Sequence, residues 1–372
     1  MYISYRKNNK ELNESNFENF LMGLDVEKKT SSVPFEWVTI WTNMPPRENN
    51  ILENKLIRMT RLLFDDAVYL DKIIPIENRF RSFHIPKKTG GYRLIEEPCW
   101  QLMDFLRKVK ENIEQYFLPH PSAYAYVADR GCLDAVKMHQ QAKNQWFLKL
   151  DFHNFFGSTT QELLMDRFWK IYPFAMLRRH EEMVTEWKFI FSLAFAADGH
   201  LPQGTPLSPI ITNMCMISSD FTIGEYCKDH EICYTRYADD LLFSAKDRES
   251  LKHLVWYVNQ VTPDEYKLNK KKTRLGNIAG SNWNLGLMLN KDNNITVGKE
   301  NKDVMRASLW NWAMKIKENP NQRIESEEKR RFEGLFNYYR HIEPNYFDNL
   351  VNKVYRKSGI NLYLYFDFSR KS

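Results

Sequence analysis

The sequence predicts an α+β protein, and three observations carry that prediction. Between Glu231 and Lys246, Ile232, Tyr234 and Arg236 alternate with Cys233, Thr235 and Tyr237, and Leu241, Leu242 and Phe243 form a second apolar run. The two runs flank the acidic tip Asp239-Asp240, which is the pattern of a β-hairpin. An apolar strand from Trp146 leads straight into Asp151, with Phe155 and Phe156 just behind it. Helical spacing dominates elsewhere, above all from residue 299 to 357, where Pro320 and Pro344 separate successive helices.

Composition narrows the class. With 372 residues, 43% hydrophobic and 27% charged, the chain suits a soluble protein of two or three packed subdomains. Its net charge of +6 is mildly basic, and its 24 Phe, 19 Tyr and 10 Trp suit both a large core and base stacking. Five cysteines without CxxC spacing argue against a zinc site or a disulfide framework and predict a reducing, cytoplasmic setting. The sequence shows no apolar run of membrane-spanning length, so no membrane partner is expected.

Residues 1–50 are polar and irregular, apart from a capping box at Ser15 and Glu18 that opens a short helix through Phe17, Phe20, Leu21 and Leu24. Residues 51–70 read as an amphipathic helix through Leu52, Leu56, Met59, Leu63 and Leu70. His84 to Pro98 reads as two short strands around Gly90-Gly91, carrying Lys87, Lys88 and Arg93. The stripe Leu102, Phe105, Leu106, Val109, Ile113 and Phe117 predicts a core-facing helix between Pro98 and Pro119. A cap at Ser158 to Gln161 opens a further helix, and residues 181–197 another. Gly204 and Pro206 allow a tight turn before a helix from about Leu207 to about His230. Asp247 caps a helix, residues 267–274 crowd five cations, and a hairpin follows with its turn at Asp292-Asn293-Asn294. The aromatic tail from Leu362 reads as a closing strand.

Chemistry points to the acidic residues. Adjacent carboxylates such as Asp239 and Asp240 repel unless a cation sits between them. A divalent metal with substrate phosphates is the usual answer, and a two-metal phosphoryl-transfer site needs one more carboxylate, which Asp151 offers. Each motif alone also fits an ordinary role, since Asp is common in turns and at helix entries.

Taken together, LKLDFHNFF (148–156), LPQGTPLSPIITN (201–213) and RYADDLLFS (236–244) resemble motifs A, B and C of reverse transcriptases. HIPKKTGGYRLIEEP, SAYAYVADRGCLDAVKMH, LNKKKTR and NWNLGLMLN resemble the family's fingers segment, its pre-motif A segment, motif D and the hairpin that follows. The resemblance implies a right-hand polymerase, with an accessory segment at 1–50, fingers and an antiparallel-sheet palm at 51–298, and a helical thumb and tail at 299–372. It implies that Asp151, Asp239 and Asp240 are catalytic and hold two Mg²⁺ ions, with the Phe152 backbone as a further ligand and Mn²⁺ as a substitute. Lys87, Arg93, Phe156, Gln203 and Lys272 would bind the nucleotide: Phe156 against C2′, selecting deoxynucleotides, and Lys272 assisting pyrophosphate departure. Tyr237, Gly204, Leu285 and Gly286 would meet primer or template, and the basic and aromatic thumb residues, from Lys299, Lys302, Arg306 and Trp310 to Arg340, a duplex.

TRYADDLLFSA, LNKKKT and the short helical tail resemble bacterial retron and defence-associated enzymes in particular. Two places depart from the retron pattern. Asp134-Ala135 with His139 replaces an Asn-Ala pair closely followed by His, and Asn284-Leu285-Gly286 replaces Val-Thr-Gly. The retron likeness implies dNTP addition on a structured non-coding RNA, an RNA-linked DNA product, antiphage defence, and an effector protein or a second copy as partner. The rival readings are an abortive-infection type enzyme with protein-primed or untemplated synthesis, RNA-templated RNA synthesis, and a non-catalytic RNA-binding scaffold.

Overall fold

The computed structural model describes residues 46–87, 90–277, 287–290, 292–320 and 326–368. The predicted capping box at Ser15 and the stretch Asn284-Leu285-Gly286 lie outside the described residues. Helix α1 (Pro46–Ile73) extends the expected 51–70 at both ends. Proline suits a first helical turn because its missing N–H would have no partner there, and buried Leu70 and Ile74 prolong the apolar stripe. Strands β1 (Phe80–Pro86) and β2 (Tyr92–Pro98) form the expected hairpin, with Ile85 opposite Arg93. Gly90 and Gly91 both take positive φ in its turn, and the Lys87 amide donates to Gly91 O. Helix α2 (Trp100–Glu114) buries Leu102, Phe105, Leu106, Val109 and Ile113, as its spacing predicts.

Helix α3 (Cys132–Ala142) precedes β3 (Trp146–Asp151). Thr160 caps α4 (Gln161–Phe168) by accepting from the Leu163 amide. Helix α5 (Glu181–Ser192) stops five residues short of the expected 197. Beyond Ser192 the chain tightens into three-residue turns, with Ala194 N donating to Phe191 O and Gly199 N to Ala196 O. Helix α6 (Ser208–Asp229) follows, buried on nearly every side through Ile211, Met214, Cys215, Met216 and Ile223. Strands β4 (Cys233–Tyr237) and β5 (Asp240–Ala245) form the predicted acidic-tipped hairpin. The single helix expected after Asp247 is two, α7 (Glu249–Lys252) and α8 (Leu254–Val261), although Asp247 does accept from the Ser250 amide as its cap.

Strand β6 (Arg274–Asn277) is followed by the small hairpin β7 (Met288–Leu289) and β8 (Ile295–Thr296). Its turn lies where the asparagines predict, Asn290 Oδ1 accepting from the amides of Asp292 and Asn294. Helices α9 (Lys299–Glu318), α10 (Ser326–Ile342) and α11 (Pro344–Ser358) complete the chain. The tail is not a strand. It makes a single 3₁₀ turn at Leu362–Leu364 and continues without regular structure, burying Phe366 and Phe368. Side chains of α10 satisfy its backbone instead of a ladder: Glu333 accepts from Asp367 N, Asn337 donates to Asp367 O, and Arg340 donates to Phe368 O.

The chain divides into two compact units. One comprises the described residues up to Val127 with Asp151–Tyr226 and Trp256–Asn269. Its aromatic core joins Phe168, Phe174, Trp187 and Phe191, ring against ring, and α1 lies along α5 with Phe64 edge-on to Phe189. The other comprises Ala128–Leu150, Cys227–Val255 and the chain from Lys270. There a single apolar cluster links Phe147 and Leu242 of the sheet, Leu289 and Val297 of the small hairpin, and the buried faces of α9 to α11. All five cysteines are free thiols, and no helix among the described residues is long and apolar enough to cross a membrane.

Candidate active site

The four central strands are ordered β4-β5-β3-β6. Gln145 N donates to Ala245 O while Lys149 reaches Asp240, so β3 and β5 run antiparallel like the other neighbours. Strand β3 therefore runs toward the end of the sheet that carries the β4–β5 turn. That turn has only two residues, Ala238 and Asp239, closed by the pair Tyr237 and Asp240. Two-residue hairpin loops need positive φ at their first position, and Ala238 adopts +56°. A side chain there costs about 1–2 kcal/mol. Arg236, only 1% exposed, lies just before the turn and donates through Nη1 to Ala238 O at 3.1 Å.

Behind the hairpin stands His139. It is fully buried, with Nδ1 at 2.7 Å from Ser244 Oγ on β5 and Nε2 at 2.9 Å from Thr235 Oγ1 on β4. Burial lowers its pKa to about 3, so the ring is neutral and one hydroxyl donates to it while the other accepts. One imidazole thus ties α3 to both strands that carry the acidic turn. Asp134, the other residue of that motif, caps α3 by accepting from the Gly131 amide at 3.0 Å.

Lys149 Nζ lies 2.8 Å from Asp240 Oδ2, each side chain about one-fifth exposed. Tyr237 is half-buried and its pKa is raised, chiefly by burial. Lys272 is exposed in the turn that precedes β6. The Asp151 carbonyl accepts from Asn269 N, and Phe152 bridges Leu268, whereas Lys149 pairs with Arg274. Two residues separate these pairings on β3 and five, 269–273, on the opposite segment. The excess makes a lysine-rich bulge that includes Lys272.

Phe152 is buried and stacks on Phe155, which also packs against Tyr266. Phe156 is half-buried, edge-on to Phe155 on one side and to the exposed ring of Tyr126 on the other. In the same unit, the Gln203 carbonyl accepts from Glu96 N of β2 at 2.8 Å. Gly204 takes φ +124°, and a Cβ there would meet Ile95 Cγ2 at 2.9 Å and Glu96 O at 3.1 Å. Only glycine lets the loop lie this close to β2. His200 Nε2 pairs with Glu96 at 2.5 Å and its Nδ1 with Asp198. Burial works to lower the His200 pKa, but the two carboxylates outweigh it and the net shift is upward. Glu96, His200, Gln203, Asn154 and Gly157 line a cavity of about 380 Å³.

Lys87 and Arg93 are exposed near the tip of the β1–β2 hairpin. Leu285 and Gly286 lie outside the described residues. The helical region pairs several of its cations with its own carboxylates: Lys302 with Glu343, Arg340 with Asp348 and Arg306 with Asp303, while Trp312 is core. Arg306 remains 56% exposed despite its pair. Sequence reading missed Lys149, Arg236, Tyr126 and the Glu96–His200 pair, because their partners lie far away in sequence or in the backbone.

Among the described residues, no three His, Cys, Asp or Glu side chains form a ready-made metal cage. Asp239 and Asp240, adjacent at the end of the hairpin, are nonetheless hard oxygen donors, which suit a divalent ion that keeps substrate oxygens in its shell.

Comparison with known proteins decides the family. The model of the family "Reverse transcriptase (RNA-dependent DNA polymerase)" matches residues 85–315. The chain is a reverse transcriptase. Its relatives include the retron Ec83 reverse transcriptase of Escherichia coli, 29% identical over 74% of this chain and 86% of that one. The retron Ec73 enzyme, also of Escherichia coli, is 26% identical over 74% of this chain and 87% of its own. The retron Ec86 enzyme is 24% identical over 83% and 94% respectively. Among solved structures, apo telomerase from Candida tropicalis aligns with 78% of this chain at 13% identity and a TM-score of 0.49. The protein is an RNA-directed DNA polymerase of the retron type. Such an enzyme takes an RNA template, makes DNA, and belongs to a family that generally uses divalent metal ions.

Proposed function

We propose that this retron-type reverse transcriptase builds DNA at Asp151, Asp239 and Asp240. The observation that carries the reading is the Asp239-Asp240 pair held at the tip of the β4–β5 hairpin, in a chain of the reverse transcriptase family. Asp151, Asp239 and Asp240 would hold two Mg²⁺ ions, or Mn²⁺ in their place, with the Phe152 backbone as a further ligand. Bound there, the ions supply acidification of the primer hydroxyl and neutralisation of triphosphate charge. Residues 51–298 serve as fingers and palm and 299–372 as thumb and tail, while 1–50 form an accessory segment.

The chain's own groups do the rest. Lys87 and Arg93 close over the triphosphate from the hairpin tip, where exposed cations suit phosphate oxygens. Gln203 and Gly204 position nucleotide and template, their loop held to β2 through Glu96 N. Phe156 excludes a ribose 2′-hydroxyl, supported by the two rings that hold it edge-on. Lys272 protonates departing pyrophosphate from the basic bulge, and Tyr237, with Leu285 and Gly286, meets the primer. The template is a structured non-coding RNA in the cytoplasm, the product an RNA-linked DNA, and the setting antiphage defence with an effector protein or a second copy. Free thiols agree with a reducing compartment.

The test is to purify the protein from its host and characterise the co-bound nucleic acid, with an Asp239→Ala, Asp240→Ala double variant as control. DNA joined to a structured RNA, absent from the variant, is the expected result. DNA attached to protein, or an untemplated repeat, would move the enzyme to the abortive-infection type. Identical RNA and no DNA in both preparations would make it a scaffold.

A further inference from the structure

His200 stands between two carboxylates, and that geometry fixes its charge. Its Nδ1 pairs with Asp198 and its Nε2 with Glu96, the latter at 2.5 Å. A carboxylate only accepts hydrogen bonds, so both ring nitrogens must donate and the ring is an imidazolium. Glu96 holds the same segment a second time, its amide donating to Gln203 O at 2.8 Å. Between these two attachments Leu201 and Pro202 are buried, and beyond them Gly204 leaves no room for a Cβ beside Glu96 O. His200 and Gln203 thus lie on one short loop tied to one residue of β2, and both line the cavity of about 380 Å³. The Glu96 and His200 side chains are only 10% and 26% exposed, so solvent screens the pair weakly.

We infer that His200 is a positioning residue for nucleotide binding: as an imidazolium it joins Asp198 to Glu96 and so fixes the loop that carries Gln203 against β2. The charged groups that face it are Asp198 on its own loop and Glu96 on β2. Leu94, Asn154 and Gly157, which line the cavity with it, are neutral. Loss of the proton leaves one ring nitrogen as an acceptor facing a carboxylate, so that half of the bridge turns repulsive. The backbone bond to Gln203 O then loses its side-chain support. Burial opposes the charge, but the two carboxylates prevail and the net shift of the ring's pKa is upward. The bridge is therefore complete below ~6.5 and is lost as pH rises through the raised value. The inference rests on the reading of Gln203 as a nucleotide contact.

Steady-state incorporation of dTTP by the full chain on a poly(rA)–oligo(dT) template-primer, from about pH 6 to about pH 9, tests it. In the parent the KM for dTTP is expected to rise about fivefold across the His200 titration, which NMR follows over the same range. His200→Gln cannot carry the charge and is expected to show the high KM at every pH, with kcat within about twofold of the parent. His200→Arg keeps a cation between the carboxylates and is expected to restore the low KM and to hold it at high pH. A parent KM that does not rise across the titration overturns the inference, a result that needs no variant to fold. So does a folded His200→Gln protein that keeps the parent's pH dependence of KM, or that loses kcat alone. If Gln203→Ala leaves the KM for dTTP unchanged, the reading of Gln203 fails and the inference with it. If Gln203→Ala raises KM while His200→Gln does not, the inference fails alone.

Discussion

His139 makes the stability of the acidic hairpin depend on pH, and the sign and size follow from its surroundings. The ring is fully buried, bonded only through neutral hydroxyls, and its pKa falls to about 3. In the unfolded chain it titrates near ~6.5. Between those values the unfolded state binds a proton that the folded state refuses, so stability rises with pH there. The contribution is complete above ~6.5 and is lost progressively as pH falls toward 3. At pH 5 the loss is about 2 kcal/mol, and any folded-state pKa below about 4 gives nearly the same figure. Urea unfolding at pH 7.5 and pH 5.0 measures it, comparing the parent with a non-titrating His139→Gln variant. Other histidines contribute equally to both proteins and cancel. The parent should lose about 2 kcal/mol more than the variant on acidification. Equal losses would mean that the ring is protonated in the folded protein, and its role as a neutral bolt would be wrong.

Three further outcomes follow from the same geometry. Gly204→Ala puts an L residue at φ +124° with its Cβ 3.1 Å from Glu96 O, so it should cost about 1–3 kcal/mol and speed hydrogen exchange at the Glu96 amide; unchanged protection would show that the loop does not need glycine. The raised pKa of His200, due to Glu96 and Asp198 against the opposing effect of burial, gives stability that is fully present below ~6.5 and lost as pH rises through the raised value. Glu96→Gln should move the His200 titration downward by NMR, and an unshifted titration would leave the pair without electrostatic content. Phe368→Ala removes a 2% exposed ring packed on Phe336 and should cost about 3–5 kcal/mol by chemical denaturation, whereas a cost below about 1 kcal/mol would show that the tail is not part of the core.

Much of this was legible in the sequence because it is local. Alternation gave the β4–β5 hairpin, paired glycines gave the β1–β2 turn, and Pro344 gave the start of α11. The acidic residues were legible as a set because three short motifs occur in a fixed order. The tail misled because aromatic alternation is necessary for a strand but not sufficient. A strand also needs a ladder partner, and here Glu333, Asn337 and Arg340 took that place.

The departure from the retron pattern at Asp134-Ala135 and His139 has two parts, and each needs its own account. Asp134 does the work that Asn would do at the same place, since either side chain offers an oxygen to the Gly131 amide at the head of α3. The shifted His139 still reaches both β4 and β5, because its partners are hydroxyls about a hundred residues away and not neighbours in the motif. Spacing therefore reports on the motif only as far as it reports on that reach. The same distinction explains why Lys149 was overlooked. As sequence it is one more charge in an apolar strand, and only the pairing of β3 with β5 brings it to Asp240. A motif names the residues that chemistry needs, but the charges that govern them are placed by the sheet.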